Sequence, residues 1–102
     1  MAPRILYEVT TILRDEGVAQ RWVRWILDEH IADVVRAGAA SGRLLHIDDA
    51  PHTYVVQYEF ASRDSLNTYL SSHAPRLRAE GALRFDASEA AYHRRTATII
   101  ER

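Results

Sequence analysis

Of the side chains that exchange a proton near neutral pH, this 102-residue chain carries five histidines and no cysteine. One histidine stands out by position. Setting residues 18 to 37 at about 100° per residue places Ala19, Val23, Ile26, Leu27, His30, Val34 and Ala37 on one stripe, with Arg21, Arg24, Asp28, Ala32 and Arg36 opposite. His30 therefore stands where an apolar side chain is expected. An imidazole in a cleft, its pKa moved by burial and by a carboxylate such as Glu8 or Glu59, serves as a general base or a ligand hydrogen-bond partner. It is the best candidate for a catalytic group. The plainer reading is a core histidine paired with a tyrosine hydroxyl or a backbone carbonyl.

Around His30, the residues expected to bind a ligand are Tyr58, Glu8 and Trp22. Glu8, Gln57 and Glu59 occupy the more polar alternate positions of two strand-like segments. There they either line a cavity between subunits, paired with Arg43 or Arg94, or remain as solvated charges. Trp22 lies at the edge of the apolar stripe, whereas Trp25 falls with the arginines, as a groove lip or dimer contact would. Tyr7, Tyr54 and Tyr58 sit at strand positions where aromatic rings mostly pack. His73, just before Ala74-Pro75, is placed to bond a carbonyl freed by a kink. His46, His52 and His93 lack metal-ligand spacing, and there is no nucleophile elbow, phosphate loop or dinucleotide fingerprint. Neither a metal nor a cofactor is expected.

The elements that must hold these residues follow from periodicity. Residues 4 to 13 are rich in β-branched and aromatic types and alternate as a strand, and residues 18 to 37 form a long amphipathic helix stopped by Gly38. A turn over 38 to 42 leads to a short strand at 43 to 47, and residues 53 to 60 form the next strand. It presents Tyr54, Val56, Tyr58 and Phe60 on one face and Val55, Gln57 and Glu59 on the other. Ser62 caps a second helix, with Leu66, Tyr69, Leu70, His73 and Leu77 on one face. Pro75 is expected to kink that helix near Ala74 or divide it into two shorter ones, ending by Gly81. Residues 90 to 99 complete the set as a strand. The order is a ferredoxin-like βαββαβ in the α+β class, one domain over residues 1–102: a four-stranded antiparallel sheet with two helices on one face. The other face is left for a second copy, giving a homodimer of the α+β barrel type.

Composition narrows the partners. A formal net charge of −1, with acidic and basic residues interspersed, argues against nucleic acid. No run approaches the roughly 18 apolar residues of a membrane span, and no secretory leader pattern opens the chain, so a cytoplasmic location is expected. Every basic residue other than histidine is arginine, which suits bidentate contacts with carboxylates.

A further set of residues carries a resemblance: Tyr7-Glu8-Val9-Thr10, Trp22-x-x-Trp25 with Glu29-His30-Ile31, Gln57-Tyr58, Tyr69, His73-Ala74-Pro75 with Leu77-Arg78, and Tyr92 with Arg94-Arg95. The pattern spans nearly the whole chain and resembles a bacterial domain-of-unknown-function family (family 4286) of the dimeric α+β barrel superfamily. That superfamily also holds small monooxygenases, muconolactone isomerase-like enzymes and binding proteins. The resemblance implies a cleft between the first helix and the sheet, near His30. Two functions stay open at this point. One is a small-molecule-binding homodimer, with cofactor-free monooxygenase or isomerase-like activity as an extension. The other is a structural or regulatory dimer without a ligand.

Overall fold

The computed structural model describes residues 2–101. Strand β1 (Ile5–Leu13) is followed by α1 (Glu16–Trp25), a π-helical turn (Ile26–His30) and α2 (Ile31–Arg36), which run on as one helix. Strands β2 (Ser41–His46) and β3 (Thr53–Phe60) form a hairpin; then come α3 (Arg63–Ser72), α4 (Ala74–Arg84) and β4 (Ala90–Thr98). The four strands pair antiparallel in the order β2-β3-β1-β4, the ferredoxin-like arrangement. Among the described residues, no helix is long and apolar enough to cross a membrane.

Local chemistry sets the helix ends. The Asp15 carboxylate accepts the Val18 amide at 2.9 Å, which starts the first helix two residues before the apolar pattern does. Gly38, at φ 131°, stops it as expected. Ser62 and Ser65 cap α3 reciprocally, each hydroxyl accepting the other's amide. The chain bends at His73, and Pro75 falls in the first turn of α4, where its missing amide costs nothing. The His73 ring, however, makes no hydrogen bond to a freed carbonyl among the described residues. Nor does Gly81 end the helix: α4 continues to Arg84, and a Cβ at Gly81 would lie 3.3 Å from the Trp25 ring. Glycine here serves close packing, at a cost of about 1 kcal/mol relative to alanine in a helix.

The sheet has two distinct faces. Ile5, Tyr7, Thr11 and Leu13 of β1 and Val56, Tyr58 and Phe60 of β3 are buried beneath the helices. Gly42 on β2 belongs to this layer, and its lack of a side chain is required: a Cβ would come within 2.9 Å of Tyr58 and 3.0 Å of Ile31. The opposite face carries Leu6, Glu8, Thr10 and Ile12 of β1, and Ile12 is 56% exposed. Across that open face runs a hydrogen-bonded row with one residue from each strand. Arg43 donates to Gln57 at 2.8 Å, Gln57 to Glu8 at 2.8 Å, and Arg95 to Glu8 at 2.7 Å. The strand register places these four residues directly opposite one another. The hydrogen bond from Gln57, and then Arg95, lowers the Glu8 pKa against the opposing effect of burial.

Two outcomes follow. Gly42→Ala should destabilise the fold by about 1–3 kcal/mol through overpacking against Tyr58, read as a lower urea midpoint at unchanged slope. Glu8 has a folded-state pKa below its unfolded value, so its contribution is present above the unfolded pKa and is lost as pH falls through the folded one. Glu8→Gln should therefore lower stability at pH 7 by roughly 1 kcal/mol and narrow the gap to wild type in acid, measured by urea unfolding at both pH values.

Candidate functional site

Between the helix layer and the sheet lies a cavity of about 260 Å³. Tyr7, Val9 and Thr11 of β1 and Val56 and Tyr58 of β3 form its floor; Trp22, Trp25, Ile26 and His30 of the first helix form one wall, and Leu77, Gly81 and Phe85 another. The strand register lays the floor out as three rungs: Tyr7 opposite Tyr58, Val9 opposite Val56, and Thr11 opposite Tyr54. Rungs on one face are roughly 7 Å apart, so the cavity has an aromatic end, an apolar middle and a Thr11 end. Rings interlock around it. Tyr7 stacks on Tyr58 with centroids 6.2 Å apart, Trp22 tilts against Tyr54 at 5.7 Å, and Trp25 touches His30 at 4.6 Å and Phe85 at 5.8 Å.

The π-helical turn explains how both tryptophans and His30 reach one wall. The Ile31 amide bonds the Ile26 carbonyl, five residues back, so the turn absorbs an extra residue. Trp22, Trp25 and Ile26 are buried before it, and Val34 after it. A strict 3.6-residue period would have turned part of this set outward. This corrects the placement of Trp25 on the polar side of the helix. Trp25 is 9% exposed, since Gly81 of α4 and Phe85 just beyond it close over the ring. Leu27, expected on the buried stripe, is instead 58% exposed.

The cavity's polar atoms are unusual because they lack partners. Thr11 Oγ1, His30 Nδ1 and the Tyr58 hydroxyl are buried with no hydrogen bond, and so is Trp22 Nε1 by strict geometry. The indole still lies close enough to Tyr92 to oppose the rise that burial causes in that phenol's pKa. Buried polar groups are normally paired, and each exception costs about 1–3 kcal/mol. Burial also sets the protonation states. It pushes the His30 pKa down, so the imidazole is neutral and can accept a proton, while Asp33 and Glu80 oppose the shift and Arg94 adds to it. The Tyr58 phenol is pushed far up and stays a neutral donor, and Tyr69 rises to about 12. The charges of Arg78, Arg94 and Arg76 all oppose the rise at Tyr69. Arg78 also donates to the Tyr7 hydroxyl at 3.0 Å.

Three of the four residues expected at a site are thus brought together: His30, Tyr58 and Trp22. Glu8 is not. It is an even-numbered residue of a strand whose odd-numbered residues face the helices, so it lies on the far side of the sheet, within the polar row. It therefore cannot be the carboxylate beside His30, and neither can Glu59, whose face it shares. Glu8 also pairs with Arg95 rather than Arg94, which faces the cavity. Sequence reasoning passed over Thr11, Arg78 and Arg94 as site residues. Thr11 had a signal, being a polar residue on the apolar alternation of β1; the arginines needed the tertiary structure.

Comparison with known proteins places the fold. Over 99% of its length the chain superposes on 97% of SnoaB, a cofactor-independent oxygenase from Streptomyces nogalater, with a TM-score of 0.70 and 16% identity. Two dimeric ferredoxin-like proteins from uncultured marine organisms also match. One gives a TM-score of 0.74 at 8% identity, covering 97% of this chain and 96% of the other; the second gives 0.70 at 9%, covering 98% of each. At these identities the likeness is one of fold. No curated protein matches the chain. The family model for a domain of unknown function, DUF4286, matches residues 4–99, and the chain accordingly belongs to that family.

Proposed function

We propose that the protein binds a small organic molecule in the cavity between its first helix and its sheet, and that it does so as a homodimer. The observation that carries the reading is the group of unpartnered polar atoms, Thr11 Oγ1, His30 Nδ1 and the Tyr58 hydroxyl, all on side chains that line a cavity of about 260 Å³ walled by aromatic rings. An apolar pocket with a few convergent polar groups is the usual form of a ligand site. A ligand oxygen accepting from these donors would satisfy what the protein leaves unmade. With His30 neutral, the same site has a proton acceptor, and Tyr58, Thr11 and the Trp22 N–H supply donors to an oxygen that gains charge when a neighbouring carbon loses its proton. That combination suits isomerase-like chemistry or cofactor-free oxygenation, the activity of SnoaB.

The homodimer reading draws on the open sheet face. Leu6, Thr10 and Ile12 flank the Arg43–Gln57–Glu8–Arg95 row there, and a second copy laid across it would cover apolar and polar groups together. The dimeric ferredoxin-like neighbours support this arrangement.

A thermal-shift screen against small metabolites tests the binding reading, because a ligand of the native state raises the melting temperature. Wild type should give a hit that His30→Leu and Tyr58→Phe both weaken. Tyr58→Phe should meanwhile make the unliganded protein about 1 kcal/mol more stable by removing an unpaired hydroxyl. Hits that survive both substitutions, or no hit at all, would refute the site. Ile12→Glu should convert a dimer into a folded monomer, seen by light scattering with unchanged circular dichroism. A monomeric wild type at micromolar concentration would sink the dimer.

A further inference from the structure

We propose that the cavity's ligand is an aromatic acid, its rings lying between the sheet and the helices and its carboxylate held at the mouth by Arg78 and Arg94. The proposal rests on the ligand-binding reading above and gives it a chemical class.

The charge pattern carries the argument. Among the described residues, seven arginines hold a carboxylate in an ion pair. Arg78 and Arg94 have no such partner among the described residues, and both line the cavity. Each is positioned by an aromatic ring instead. Arg78 spends one N–H on the Tyr7 hydroxyl at 3.0 Å, and the Arg94 guanidinium lies over the Tyr92 ring at 5.2 Å. A guanidinium has five N–H donors, so most of the fork on each remains available for a bidentate carboxylate. They come from different elements, α4 and β4, and both line the cavity together with Tyr69.

The rest of the wall offers an anion little opposition. The one carboxylate that lines the cavity, Asp86, is already engaged, accepting from the Ser88 amide at 2.9 Å and the Ser88 hydroxyl at 2.6 Å. Two guanidiniums with N–H donors to spare therefore face one carboxylate, which leaves the lining with a net positive charge. Inside, the polar side chains are rich in donors, with the Trp22 indole able only to donate. The ring-lined walls suit a flat π-system. A cationic ligand would meet like charge at the mouth, and a neutral one would leave both guanidiniums without a partner. Both arginines are exposed, so a carboxylate there would be held by paired, charge-assisted hydrogen bonds more than by desolvated charge.

Isothermal titration with 2-naphthoate and with its neutral counterpart 2-naphthamide tests the assignment, using wild type, Arg78→Gln, Arg94→Gln and the double variant. Naphthoate should bind wild type at least about tenfold more tightly than the amide, the scale of one charge-assisted hydrogen bond. Each single substitution should weaken naphthoate about tenfold while leaving the amide within about twofold, and the double variant should bind the two alike. Retained binding of the amide shows that each variant is folded with its cavity intact. Equal affinity of wild type for the two probes, or naphthoate binding that survives both substitutions, would overturn the anionic class and leave the cavity reading standing. Failure of both probes to bind wild type would overturn the anionic class and the cavity reading together.

Discussion

The strictly alternating side chains of β1 are the constraint on which the molecule's division of labour depends. The strand is hydrogen-bonded on both sides, to β3 and β4, so its register sets what meets what across most of the sheet. Tyr7, Val9 and Thr11 face the helices, while Glu8 and Thr10 face away. A slip of one residue would exchange the two sets, bringing a carboxylate into the aromatic cavity and leaving Ile5 and Leu13 in water. Those two are 1% and 2% exposed, and burying each such side chain contributes about 1.5–3 kcal/mol. The ends of the strand thus lock the register, and its middle is free to carry polar groups on both faces for different purposes.

Those purposes are visible in how polarity is treated on each side. On the open face, polar groups are matched: Arg43, Gln57, Glu8 and Arg95 satisfy one another in a row. On the inner face they are left unmatched, at Thr11, His30 and Tyr58. A core selected only for stability would carry valine and phenylalanine in place of Thr11 and Tyr58, at no loss of volume. Against a total stability of roughly 5–15 kcal/mol, several unmatched groups at about 1–3 kcal/mol each are a substantial cost. The π-helical turn is of the same kind, since it departs from regular α-helix where Trp25 and His30 meet. Departures from local regularity and from polar matching coincide in one cavity, which is how functional sites differ from the scaffold around them.

Period-2 and cap signals made the scaffold readable from the chain alone. Residues 53 to 60 form a strand because β-branched and aromatic residues alternate there, Gly38 ends a helix because its φ of 131° excludes most side chains, and Pro75 bends the second helical segment. The long helix was legible as a helix, whereas its buried face was not. Assuming 3.6 residues per turn across Ile26–His30 misplaces Trp25 and Leu27, because a π-helical turn has no local signature in residue type. Gly81 shows the same limit: a glycine that ends a helix and one that admits a neighbour's ring look identical in sequence. Glu8 was assigned to the His30 site on its chemistry alone, although strand parity, with Tyr7 and Val9 on the apolar side, was enough to separate them.

In the proposed reading, the arrangement of charge along the cavity would link binding to proton transfer. Burial keeps His30 neutral, and Arg94 at the mouth acts in the same direction, since a nearby cation disfavours imidazolium. Asp33 and Glu80 act the other way. An anion seated on Arg94 would offset that guanidinium's charge and so remove one of the two influences that disfavour protonated His30. Under that proposal, the imidazole of a filled cavity would be a somewhat stronger base than that of an empty one, with burial still the larger influence. The cation that orients an acid at the mouth would thereby adjust the basicity of the group deeper in the wall, with no movement of the backbone required.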